Sequence, residues 1–327
     1  PLQSLSLLQV ELFDGPWATG TAAQYFSEAS SGRFSVTGDV YDWVELAGNE
    51  DYYVSYPHGG MTVGASRTDE FIEEAVAGID GAVDFGQYDN DGPDNLPNSG
   101  DDDGYVDVLV LVHPAIGAEC TSNSYHMWSH SYQYSLWDGV PGGPLETNDP
   151  SASGGMIKVD DYIMAPTVSC DSGLIEIGVF CHELGHTLGL PDLYDTYGSY
   201  GIGFWGLMGS GNWNTPESPA HPCGWSKEQL GWVDVVEIGW EAVQYDLQPV
   251  IQSGEVIRLK TPARRFRRTV PMLAPLGWSM VCGYTQEEAE FREWPGGGGY
   301  GNYWNESISR SFSYDGSGPV SLEYELE

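Results

Sequence analysis

Positive charge is scarce in this chain. Of 327 residues only 12 are Lys or Arg, against 48 Asp or Glu, and the formal net charge is −36. Lysine occurs only at 158, 227 and 260. Such a surface repels polyanions, which argues against nucleic acid or an anionic membrane as a partner. Long apolar runs are missing too: no stretch reaches the roughly 20 residues that a membrane-spanning helix needs. The five cysteines, at 120, 170, 181, 223 and 282, suffice for two disulfides with one left over. The chain opens at Pro1 without a basic-then-apolar leader, the pattern expected of a fragment or a processed form. What is present is a folding composition, 41% hydrophobic and 13% aromatic, in a chain long enough for one large domain or two.

The most informative stretch is V-F-C-H-E-L-G-H-T-L-G-L-P-D-L-Y-D-T at 179–196. Helical residues four apart share a face, so His182 and His186 can reach one metal ion. Glu183 stands beside His182, where its carboxylate can hold an attacking water without ligating the metal. Gly189 is suited to ending the helix and turning the chain, and Asp192 can then swing back as a third ligand. Three protein donors and one open position is what catalytic zinc uses, whereas a structural site is closed by four. Downstream, G-I-G-F-W-G-L-M-G-S-G-N-W at 201–213 puts Met208 in a glycine-rich turn suited to an apolar floor beneath the metal.

A second dense stretch is Y-D-N-D-G-P-D-N-L-P-N-S-G-D-D-D-G-Y-V-D at 88–107. Alternating Asp and Asn can aim several hard oxygens at one calcium ion, with Gly allowing tight turns between them. Candidate ligands are Asp89, Asp91, Asp101, Asp103 and Asp107; the bland alternative is a solvated acidic turn. The spacing is not that of an EF-hand. His126 and His130, in Y-H-M-W-S-H, are also four apart. The segment reads as a strand, where i and i+4 lie about 13 Å apart. They are therefore expected to pack or to line a cleft.

Coarse patterning predicts strands at 6–13, 33–46, 106–113 and 159–168. Helices are expected at 21–29, at 68–79 with Thr68 as N-cap, at 174–188 and from about Gly224. Residues 114–158 read as loop, and G-W-V-D-V-V-E-I-G-W from 231 returns to strand. Beyond 245 short strands are expected. The segment 258–268 holds six of the twelve basic residues, and 258–295 departs from the rest of the chain as a shifted reading frame would. No function rests on it. Position suggests pairing Cys181 with Cys223 around the metal helix and Cys120 with Cys170 across the intervening loop, although sequence does not fix connectivity.

H-E-L-G-H-T-L-G-L-P-D-L-Y-D followed by G-F-W-G-L-M-G-S-G-N-W resembles the immune inhibitor A family of secreted peptidases (family M6, metzincin clan), over roughly residues 6–235. The resemblance implies an α/β (α+β) zinc-peptidase domain, with a twisted mixed β-sheet and an active-site helix, over 1–240. A truncated β-rich segment follows at 241–327. It also implies zinc on His182, His186 and Asp192, Glu183 as general base acting on a zinc-bound water, and Met208 as the Met-turn residue. Many metzincins carry a Tyr two residues after that Met; Ser210 stands here, so no oxyanion helper is assigned. Expected partners are protein or peptide substrates of a monomer without a membrane span. The acidic loop and the cysteines favour an oxidising, extracellular setting. The rival expectation is a calcium-dependent binding module on a peptidase scaffold, against which an intact Glu183 argues.

Overall fold

A computed structural model describes residues 2–137, 143–194, 199–238 and 248–259, with short strands at 279–280 and 308–309. Its strands are β1 (Leu109–Ile116), β2 (His130–Gln133), β3 (Leu145–Pro150), β4 (Met156–Val159), β5 (Asp161–Val168), β6 (Asp234–Ile238) and β7 (Glu255–Leu259). β5 is the central element. It pairs with β1 in parallel (Leu109 opposite Tyr162) and with β2 antiparallel (His130 opposite Met164), giving a mixed sheet of order β1-β5-β2. Tyr162 to Thr167 are all buried, as expected of a strand covered on both faces. The period of two then divides the core. Ile163 and Ala165 point into one apolar cluster, while Tyr162 and Met164 point into the other. β3 and β4 form an antiparallel pair, and β6 and β7 a parallel one.

The helices are α1 (Leu5–Gln9), α2 (Ala22–Ala29), α3 (Glu50–Val54), α4 (Thr68–Ile79), α5 (Ala118–Thr121), α6 (Ile177–Thr187), α7 (Gly224–Gln229) and α8 (Val250–Ser253). α2 begins where expected because Thr21 and Gln24 form a reciprocal capping box. α4 has the expected bounds but a different start. Arg67 precedes the first turn, and the Thr68 hydroxyl donates instead to Gly60 O at 2.6 Å. α7 is fastened to α2 by buried Lys227, whose Nζ donates to Ala29 O at 2.7 Å.

Two expected strands are absent. Residues 5–14 are helical, α1 running into a π-helical turn at Val10–Asp14; Leu8, Glu11 and Leu12 are the buried positions, at helical rather than alternate spacing. Residues 33–46 carry no regular element, although Phe34, Val36 and Val40 pack on the first cluster. Part of this backbone is satisfied by the Gln9 side chain, which accepts from Val40 N–H at 2.7 Å and donates to Gly38 O at 3.1 Å. The stretch 114–158 holds α5, β2, β3 and β4 where loop was expected.

The expected domain division at 240, and most of the β-rich segment expected at 241–327, lie outside the described residues. Arg258, the first of the anomalous basic residues, lies in β7 and pairs with Glu228 and Glu237. Apart from Leu259 and the short strand at 279–280, the rest of 258–295, including Cys282, lies outside the described residues.

Candidate metal centre

α6 enters the core through two close approaches that only glycine permits. A Cβ at Gly178 would lie 2.3 Å from Asn212 O, and the Gly178 N–H donates to Pro216 O at 2.9 Å. A Cβ at Gly185 would lie 2.6 Å from Met208 Sδ. The Met208 turn therefore seats directly against the helix, and Met208 is 1% exposed. α6 ends at Thr187. Gly189, at φ +88°, takes the left-handed conformation that other residues resist, while its N–H donates to His186 O at 2.9 Å. Leu193 N–H then donates to Met208 O at 2.7 Å, pinning the turn that carries Asp192.

Each histidine is oriented by main chain. His182 Nδ1 lies 2.9 Å from Leu207 O, and His186 Nδ1 lies 2.8 Å from Leu190 O. A carbonyl can only accept, so Nδ1 carries the hydrogen, and in the neutral ring the Nε2 lone pair is free to ligate. Asp192 Oδ1 approaches both, at 3.2 Å from His182 Nε2 and 3.4 Å from His186 Nε2. That oxygen is buried yet makes no well-formed hydrogen bond. The three ligand atoms lie within 4.8 Å of one another. Two imidazoles and a carboxylate with an orphaned oxygen at their meeting point can hold one zinc-type ion, the donor set of a site with an open position.

Electrostatics follow the same geometry. Burial alone would raise the Asp192 carboxyl, but the close approach of the His182 and His186 rings outweighs it and holds the group well below the usual carboxylate range. Burial opposes charge on His186; the neighbouring Asp192 and Glu183 overcome it and raise its pKa. Glu183 is 7% exposed, and burial raises its pKa against the opposing pull of His182 and His186.

His182 and Glu183 line an open cleft of roughly 480 Å³ together with Glu119, Trp128, Ser129, Tyr194, Tyr200, Ser210 and Trp213. Sequence reading missed Glu119 and Tyr194. Tyr194 stands two residues after Asp192, its ring 6.4 Å from that of His182, and burial with the charges of Asp192 and Glu183 raises its pKa. Its nearness to the last ligand was the available signal. Glu119 had none, because its place depends on how 114–130 folds.

The acidic loop is only partly as expected. Asp89 and Asp91 come together, but with Asp102 as the third carboxylate. Asp101 accepts instead from the Ser99 hydroxyl, Asp103 from Tyr105 N–H, and Asp107 from Asn90 N–H. In a run of three aspartates no periodicity tells which side chain turns inward. Asp89 is 1% exposed, its Oδ2 has no partner, and burial, with the charges of Asp102, Asp103 and Asp91, raises its pKa to about 6.

Cys120 and Cys170 are joined, but Cys181 and Cys223 are free thiols, contrary to expectation. Cys181 faces the core away from the ligand face of α6 and is fully buried, whereas Cys223 packs by Gly206 and Ser226. His126 contacts Glu50 at 3.2 Å, while His130 is buried between Trp128 O and the Tyr162 hydroxyl. Both pack, as expected, and neither joins the metal group.

Residues 12–240 match the catalytic-domain model of the immune inhibitor A peptidase M6 family. Immune inhibitor A of Bacillus thuringiensis subsp. alesti is 28% identical over 250 residues, covering 68% of this chain and 34% of that protein. The pre-pro-metalloprotease PrtV of Vibrio cholerae serotype O1 is 28% identical over 224 residues, covering 63% of this chain and 23% of PrtV. The chain thus spans about a third or less of the length of these relatives.

Proposed function

The chain belongs to the immune inhibitor A peptidase M6 family, and from that premise we propose that it is a zinc-dependent endopeptidase acting on proteins or peptides. The observation that carries this reading is the convergence of His182, His186 and Asp192 beside a cleft that His182 and Glu183 line. When bound, zinc supplies Lewis acidity and lowers the pKa of a coordinated water towards neutrality.

Glu183 takes a proton from the attacking water and delivers it to the leaving amine. Its burial suits both halves of that role, since a carboxyl shifted upward holds the proton more readily between the two transfers. Leu207 O and Leu190 O fix the imidazole tautomers. A binding module would have no use for an acid buried beside the ligands, so the enzymatic reading is the stronger. The Cys120–Cys170 disulfide favours an oxidising, extracellular setting. The orphaned Asp89 oxygen supports a second, structural cation, calcium, held by Asp89, Asp91 and Asp102.

The test is metal analysis paired with a casein assay. Cleavage should be lost with o-phenanthroline and restored by zinc. Glu183→Gln should keep one zinc per chain and lose about 10²–10⁴-fold in rate. Undiminished cleavage by the zinc-loaded Glu183→Gln protein would overturn the role given to Glu183.

A further inference from the structure

One charged side chain in the cleft has no part in the chemistry above. Glu119 is the second residue of α5, adjacent to disulfide-bonded Cys120. Its carboxylate is held from behind by a single residue: the Ser129 hydroxyl donates to Oε1 at 2.5 Å and the Ser129 N–H to Oε2 at 3.3 Å. The space it occupies exists because residue 117 is glycine. A Cβ there would lie 2.3 Å from Oε1 and 2.6 Å from Oε2, although Gly117, at φ −71°, has a backbone any residue can adopt. Glycine is needed at 117 for room.

A carboxylate so fixed, in the cleft that His182 and Glu183 also line, still has lone pairs to offer. Among the described residues no Lys or Arg forms an ion pair with it. Trp128, Tyr200 and Trp213 line the same cleft, and Tyr200 and Trp213 are exposed. An oriented anion among aromatic faces fits a cationic side chain, which gains a charge-assisted hydrogen bond at one end and a ring contact along its length. The overall charge of −36 attracts any cation without selecting its place. Glu119 supplies the place.

We propose that Glu119 selects lysine or arginine side chains of the substrate and seats them in the cleft beside the bond to be cut. This rests on the peptidase reading of the site and adds a substrate class to it.

The test uses fluorogenic peptides in which one Lys is walked through the positions flanking the cleaved bond. Each is compared with norleucine and Glu at the same position, at about 0.5 M salt to screen the overall charge. At one position Lys should exceed norleucine about tenfold or more in kcat/KM, with Glu poorest. Glu119→Gln should collapse that ratio, and Glu119→Lys should turn it towards the Glu peptide. General damage to the cleft would lower all peptides together and leave the ratio standing. A wild-type protein with no basic preference at any position, or a Glu119→Gln protein that keeps it, overturns the proposal. If the zinc-loaded protein cuts none of the peptides, the peptidase reading fails, and selection is read from fluorescence anisotropy of the same labelled peptides. Tighter binding of the Lys peptide that is lost in Glu119→Gln then supports the role of Glu119, and equal binding of all peptides overturns it.

Discussion

Glu11 shows what burial does to one side chain far from the metal. It sits in the π-helical turn after α1, 2% exposed, with Oε2 unpartnered. Burial, with the charges of Glu176 and Glu217, raises its pKa to about 7 from an ordinary carboxyl value. Between about pH 4.5 and 7 the folded chain therefore binds more protons here than the unfolded chain. The stabilisation is complete below that window and is lost as pH rises through it, on the order of 1–3 kcal/mol. Glu11→Gln keeps the shape of the protonated acid and removes the titration. Thermal melts should put the variant level with the wild type near pH 5 and above it near pH 8. Equal melting temperatures at both values would show that Glu11 is hydrated in the folded state. In the cleft the same logic separates Glu183, which burial shifts upward, from Glu119, which Ser129 holds by two hydrogen bonds.

At the scale of elements, α6 works because small residues let main chain and side chains meet it. Gly178 is the critical point, since the atom a Cβ would strike is a backbone carbonyl rather than a flexible side-chain end. Gly178→Ala should push residues 212–216 off the helix and destabilise by about 1–3 kcal/mol, as overpacking does. The loss of zinc affinity should accompany it, because the carbonyl that orients His182 belongs to the neighbouring Met208 turn. A denaturant melt and a zinc titration of the variant check both outcomes.

The helix itself was legible. H-E-x-x-H, Gly189 and Asp192 are local signals, and the structure brings His182, His186 and Asp192 together. α2 and α4 were legible for the same reason, each having a polar start and an apolar stripe. What was not legible depends on contacts between distant residues. The backbone at 33–46 looked like a strand because its residues suit one, yet its partner is a glutamine side chain. The grouping of Asp102 with Asp89 and Asp91 and the free Cys181 and Cys223 are likewise set by tertiary packing, which no local pattern encodes.

For the whole molecule, the excess of 36 negative charges makes cation binding a global matter. Asp89, Asp91 and Asp102 repel one another unless a cation sits among them, and the loop that carries them is anchored to β4 through Lys158 O, which accepts from Val106 N–H at 2.8 Å. Calcium added to chelator-treated protein should raise the melting temperature, by the equivalent of about 2.7 kcal/mol at a hundredfold excess over Kd. Asp89→Asn should remove most of that increment while leaving zinc content intact. A melting temperature indifferent to calcium would reduce the loop to a solvated acidic turn.

The Cys120–Cys170 bond joins residues 50 positions apart into a covalent ring, and β2, β3, β4 and β5 all lie inside it. Trp128 and Ser129 belong to that ring, and Glu119 is its immediate neighbour; α6, Asp192 and the Met208 turn lie outside it. The cleft is therefore a seam between two kinds of construction. The wall that grips is tied by a cross-link whose main action is to restrict the unfolded chain. Among the described residues, α6 and the Met208 turn carry no cross-link to that ring and meet it through hydrogen bonds and packing. A molecule divided in this way has Trp128 and Ser129 inside a covalent ring and α6 with the Met208 turn outside it, so reduction of the one bond acts on the first side of the cleft directly and on the second only through packing.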